Sequence, residues 1–169
     1  MESRDAYFDE VYREFAERFK RFLVSRIHSV SDMEDIYQES WKRFYERTRI
    51  LRPAEPFRYL IKIAKGELAK RYQSQSRKNE QEEPFDDSIP DTQAPFEPAL
   101  LERMEAAAVW QIVRQEPLLS YQTFTLYYGF DQSVRQIAHA LCISEDAVKA
   151  RLYRTRERIR AEWKGADEQ

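Results

Sequence analysis

Apolar residues recur every three or four positions through most of this chain, and that spacing suits one kind of regular structure. Tyr7, Phe8, Val11, Tyr12, Phe15, Phe19, Phe22, Leu23 and Ile27 fall on one stripe of a long amphipathic helix. Ser31 and Glu34 have capping-box spacing and predict the start of a second helix. One side of that helix carries Ile36, Tyr37, Trp41, Phe44 and Tyr45. After a loop from Thr48 to Glu55, Pro56 suits the first turn of a third helix, with Phe57, Leu60, Ile61, Ala64 and Leu68 on its apolar face. Only 3 glycines among 169 residues, and few β-branched runs, leave an all-α fold as the expectation. A 14% aromatic content is enough for helices of this kind to bury a core.

From about Gln73 the periodicity dissolves into Gln, Ser and Asn, then into Glu and Asp. Pro84, Pro90, Pro95 and Pro98 exclude a regular helix there. The expected plan is therefore two small helical domains, over residues 1–72 and 100–169, joined by an acidic, proline-containing linker over 73–99. In the second domain Leu101, Met104, Ala108 and Ile112 mark a helix that stops near Pro117. Leu119 to Tyr128 marks another, with Gly129 as its C-terminal stop.

The segment from Ser133 to Leu152 reads as a helix-turn-helix. Ser133 and Gln136 fit a capping box, and Ile137, Ala138 and Leu141 share one face. Ile143 fits the turn. Ser144 can cap a second helix, with Glu145 and Asp146 at its positive end and Val148, Leu152 and Ile159 on its buried side. A helix held in this way can present its first turns to the major groove of DNA.

Charge distribution agrees with such a partner, although the formal net charge is only -2. Arg58 to Lys78 holds seven Lys and Arg against one acid, and Lys149 to Lys164 holds seven against two. Between them, Glu80 to Glu105 holds nine acids and one base. Charge runs are commonly solvated helix faces. Two basic blocks, one of them on a helix-turn-helix, favour contact with a polyanion.

The single cysteine, Cys142, excludes a disulfide framework within the chain and is expected to be a small buried residue. His28 and His139 lie far apart without partners at ligand spacing, so neither a metal site nor another cofactor is expected. No apolar run reaches the length of a membrane span, and the first residues lack a signal-peptide pattern. The expectation is a cytoplasmic protein without membrane insertion.

Two motifs in order resemble a known family. Asp32-Met33-Glu34-Asp35-Ile36-Tyr37-Gln38-Glu39-Ser40-Trp41 resembles the polymerase-contacting helix of bacterial sigma factors, and Phe57 to Lys65 resembles the helix that faces the -10 promoter element. Ile137-Ala138, Ile143-Ser144 and Val148 to Arg156 resemble the same family's -35 reader. Order and spacing are similar to those of the extracytoplasmic-function (ECF) sigma factors of the sigma-70 family. The chain departs from the pattern at Gly66 and Lys70, where the family has Asn and Asp, and at Cys142, where it has Gly.

The resemblance implies a transcription initiation factor that is not an enzyme, with core RNA polymerase and promoter DNA as partners and an anti-sigma factor as the usual regulator. It implies that Asp35, Gln38 and Glu39 dock on polymerase; these positions share one helix face and offer acceptors to basic groups. The -10 candidates are Arg52, Phe57, Arg58, Tyr59, Lys62, Lys65, Lys70 and Arg71, beside a loop over 49–55 that in the family holds a flipped base. The -35 candidates are Ser144, Glu145, Asp146, Lys149, Ala150, Arg151 and Arg154; acids can accept from cytosine and Lys or Arg can donate to guanine. Arg156, Arg158 and Arg160 suit phosphate or solvent.

Two other classes remain open on the residues alone. A stand-alone helix-turn-helix regulator would leave the Asp35-Gln38-Glu39 face without a use. A nuclease would need carboxylates converging from several elements, and Glu34, Asp35 and Glu39 come from one.

Overall fold

A computed structural model describes residues 3–78 and 106–167, and all regular structure among the described residues is helical. It divides into two compact units, Met1–Arg71 and Tyr72–Gln169. Residues 79–99 of the linker expected over 73–99, and the start of the helix expected at Leu101, lie outside the described residues.

The first unit is built from α1 (Arg4–Val24), α2 (Val30–Arg47) and most of α3 (Pro56–Lys78). The Ser3 hydroxyl accepts the Ala6 amide and caps α1, with Asp5 placed favourably in the first turn. The α1 stripe was expected to continue to Ile27. The helix ends at Val24, where the Arg26 and Ile27 amides both donate to the Leu23 carbonyl and fold the chain into a tight turn. Ile27 is still buried, so the stripe reads correctly while the boundary does not.

The cap of α2 is Ser29 and not Ser31. The Ser29 hydroxyl accepts from the Asp32 amide at 3.3 Å, and Ser31 already lies inside the helix. Pro56 opens α3 as expected, but α3 runs on through Gln73 to Lys78. That stretch contains neither Gly nor Pro, and Gln, Arg and Lys are adequate helix formers, so polarity alone does not end the helix.

Aromatic packing holds the unit together. The Trp41 ring meets those of Phe8, Tyr12, Phe19, Tyr37 and Phe44, mostly edge to face. Phe19, Phe44, Leu60, Ala64 and Leu68 are fully buried. Burying one large side chain stabilises by roughly 2 kcal/mol, whereas exposed ion pairs such as Arg58–Glu55 contribute about 0–1 kcal/mol. The rings therefore decide stability, and the charges are left for other uses.

Gly66 is an exception within α3. It is exposed, and a Cβ built on it would meet nothing within 4 Å. Packing gives no reason for glycine there. Gly66→Ala is expected to raise stability by about 1 kcal/mol, read as a shifted urea midpoint with an unchanged slope.

The second unit contains α4 (Ala106–Val113), α5 (Leu118–Phe124), a π-helical turn (Thr125–Gly129), α6 (Val134–Leu141) and α7 (Glu145–Asp167). The helix expected over Leu119 to Tyr128 widens into the π turn at Thr125. The chain then reverses through Asp131 at φ 53°, a left-handed position held by a non-glycine residue. The capping box of α6 is present on both sides. The Gln136 amide donates to the Ser133 hydroxyl at 3.1 Å, and the Ser133 amide donates to Gln136 Oε1 at 2.9 Å. The last helix, α7, packs against α4, α5 and α6. Ile137, Leu141, Val148, Leu152 and Ile159 are buried between them, as their spacing predicts.

Between α6 and α7 stand Cys142, Ile143 and Ser144. The Ile143 amide reaches the Ala138 carbonyl at 3.1 Å, a Schellman-type closure of α6. Ser144 caps α7 by accepting the Ala147 amide at 3.0 Å. Cys142 has φ 56° and ψ 42° and is exposed. The expectation of a buried cysteine is thereby corrected, because a left-handed residue closing a helix turns its side chain out of the core. Cys142→Gly is expected to stabilise the protein by about 1 kcal/mol through relief of left-handed strain. Thermal denaturation of the two proteins side by side measures it.

Candidate functional site

The outer face of α2 brings the first candidate set together. Asp35 and Gln38 are exposed, and Glu39 is half-buried beside them. Ile36, Ser40, Trp41 and Phe44, on the other side of the same helix, are buried. The amphipathic pattern of α2 therefore fixes which residues a partner can reach. The Asp35 side chain is 57% exposed and that of Glu39 is 36% exposed.

These acids sit in a lattice of charges shared with α3. Arg71 donates from Nη1 to Asp35 at 2.9 Å and from Nε to Asp32 at 2.5 Å. Burial works against the Arg71 charge, but the hydrogen bond and charge of Asp32, with Asp35 beside it, hold its pKa above the usual arginine value. Further along, Arg43 lies 3.1 Å from Glu39 and 3.5 Å from Glu67, and Lys70 is 3.5 Å from Glu67. The sequence motif did not disclose Arg43 and Glu67 as members. The signal for Arg43 was its i, i+4 spacing from Glu39.

The -10 candidates divide by what they touch. The Phe57 ring packs on those of Phe15 and Phe22, with the Arg18 guanidinium 4.0 Å above it. Tyr59 meets Phe44 edge to face, and its hydroxyl accepts from Arg47 at 3.0 Å. Both rings are thus part of the packing around the core. Arg52 lies over the Tyr7 ring at 4.8 Å. Arg58, Lys62 and Lys70 are exposed and Lys65 half-buried, so α3 keeps a basic outer stripe that also carries Gly66. The preceding loop presents Ile50 and Leu51 to solvent. Sequence reading passed over this pair, whose signal was two apolar residues outside any helical stripe.

On α7 the outer stripe is Glu145, Asp146 and Lys149, all exposed, with Ser144 committed to its cap. Tyr153, one turn beyond Lys149 and half-buried, continues this stripe and was not among the candidates. Arg154 is half-buried on the flank. Ala150 and Arg151 do not fit a groove-facing role. Both are buried, and Arg151, at 7% exposure, donates to the Ser120 hydroxyl at 3.0 Å. They turn inward because α7 packs against neighbours on more than one side. Arg156 is drawn to the π turn instead, donating to the Tyr128 hydroxyl at 2.6 Å. Burial raises the Tyr128 pKa, opposed by the charge of Arg156. Arg158 reaches back to Glu116 at 2.7 Å and Gln115 at 2.9 Å.

Among the described residues there is no group of three or more His, Cys, Asp or Glu able to hold a metal ion, and no helix long and apolar enough to cross a membrane.

Residues 11–78, the span of most of α1 through α3, match the family model of sigma-70 region 2. Over 162 residues the chain is 24% identical to the ECF RNA polymerase sigma factor SigM of Bacillus subtilis (strain 168), covering 90% of this chain and 93% of that protein. The matched region carries the acidic face of α2, and the similarity to SigM spans most of the chain. On these grounds the first unit is similar to sigma-70 region 2, and the chain as a whole is similar to an ECF-type sigma factor.

Proposed function

We propose that this protein binds core RNA polymerase through the outer face of α2 and directs it to promoters by reading two elements. The first domain serves polymerase and the -10 element, and the second serves the -35 element. The segment between α3 and α4 is the linker. Asp35, Gln38 and Glu39 accept hydrogen bonds from basic groups of polymerase. Arg58, Lys62, Lys65 and Lys70 attract the phosphates near the -10 element while the loop before α3 takes up an unpaired base, which aids melting. Glu145, Asp146 and Lys149, on the first turns of α7, read base edges of the -35 element, and Arg154 contacts phosphate. Polymerase performs all the chemistry. The protein works in the cytoplasm, and family resemblance adds sequestration by an anti-sigma factor as its regulation.

The observation that carries this reading is the outward-facing row of exposed Asp35 and Gln38 and half-buried Glu39 inside the region 2 match. A stand-alone regulator has no use for that row. Run-off transcription with bacterial core polymerase on a library of randomised promoters tests the reading. Start-specific transcripts that depend on the protein are expected. Absence of transcripts and of core binding, with tight binding to duplex DNA alone, would overturn it.

A further inference from the structure

The geometry points to Arg71 as a positioning residue for polymerase docking. It fixes Asp35 on the face of α2 and does not itself contact promoter DNA. This rests on the docking role proposed for Asp35.

Asp32 and Asp35 lie one turn apart on α2, and Arg71 reaches both from α3. The two acids are not equivalent. The Asp32 side chain is only 12% exposed, whereas that of Asp35 is largely open. A nearly buried carboxylate requires a counter-charge, so Asp32 holds the guanidinium in place. The planar guanidinium then offers a second nitrogen to Asp35 from a fixed position. A carboxylate has several acceptor sites, and Arg71 occupies one of those of Asp35. Asp35 keeps acceptor capacity and a preferred rotamer, so less side-chain freedom is lost when a partner binds. Asp32 neutralises Arg71, which leaves the outward face with the negative charge of Asp35. Because the guanidinium already serves two carboxylates, Arg71 is a poor candidate for phosphate contact, unlike exposed Lys62 on the same helix.

The test is a double-mutant cycle on binding to core polymerase, using full-length wild type, Arg71→Lys, Asp35→Ala and the double variant. Lysine keeps the charge beside Asp32, which protects the fold, but its single ammonium cannot present a planar fork to two carboxylates. The expected result is about fivefold weaker core binding for Arg71→Lys alone and less than about twofold further loss in the Asp35→Ala background. Binding of a single-stranded -10 oligonucleotide to the preformed holoenzyme stays unchanged. Equal losses in both backgrounds would overturn the inference. So would normal core binding by Arg71→Lys, or weakened oligonucleotide binding with normal core binding. Failure of the wild-type protein to bind core would instead remove the docking reading itself.

Discussion

Asp35→Ala combined with Glu39→Ala is expected to lower affinity for core RNA polymerase by about 100-fold or more and to abolish start-specific transcription, with the fold intact. The size follows from what docking does to a carboxylate. Truncating one partner of a charge pair buried in an interface costs about 2–5 kcal/mol, because the other charge is left without its acceptor. Two such losses exceed two orders of magnitude even with incomplete additivity. The fold survives for a different reason. In the free protein Asp35 and Glu39 pair only at the surface, with Arg71 and Arg43. Exposed pairs of this kind contribute about 0–1 kcal/mol each, and alanine favours helix. Asp32 still satisfies Arg71 when Asp35 is gone. Circular dichroism and thermal unfolding report the fold, while fluorescence anisotropy of labelled protein titrated with core polymerase reports docking. Wild-type affinity in the double variant would remove α2 as the docking element.

Much of this arrangement is written in residue spacing. The stripes of α1, α2 and α6 are one-sided, because each of these helices buries one face and leaves the other to solvent. Periodicity therefore identifies their inner residues directly. Capping is legible where the competing positions differ in kind, as at Ser133 and Gln136. It is ambiguous at the start of α2, where Ser29 and Ser31 both stand ahead of suitable acids. The geometry settles on Ser29, one step before the helix, and Ser31 becomes an ordinary solvent-facing position.

Other features depend on contacts that no local pattern encodes. The carboxylates that engage Arg71 lie 36 and 39 residues earlier in the chain. Within its basic block Arg71 is indistinguishable from a phosphate ligand, and only the approach of α3 to α2 reveals its use. Phe57 and Tyr59 raise the same difficulty, since an aromatic beside a nucleic-acid site and an aromatic at the edge of a core carry the same letters. Cys142 adds a backbone effect. Its left-handed conformation is set by the closure of α6 and the start of α7, and this overrides the hydrophobic character that suggested burial. The candidates on α7 were blurred because its N-terminal half is covered on more than one side, which widens the buried arc to include Ala150 and Arg151.

That wide arc separates two basic residues only two positions apart. Arg151→Ala is expected to destabilise the second unit by about 2 kcal/mol, through the lost bond to Ser120 and the lost packing of its aliphatic stem. A Ser120 hydroxyl left buried without this donor contributes to the loss. Lys149→Ala removes an exposed side chain from the outer stripe and is expected to leave stability within about 0.5 kcal/mol of wild type. Its effect is expected on promoter choice. A side chain donating to a base edge supplies about 1–3 kcal/mol of discrimination, so selection at one position of the -35 element should relax by roughly tenfold, while the -10 preference is retained. Urea denaturation and promoter-library transcription, run on both variants, separate the two roles. If Lys149→Ala weakened transcription equally on every promoter, Lys149 would be a phosphate contact. If Arg151→Ala kept full stability and changed base preference, the inward orientation of Arg151 would be wrong, and with it the face of α7 assigned to DNA.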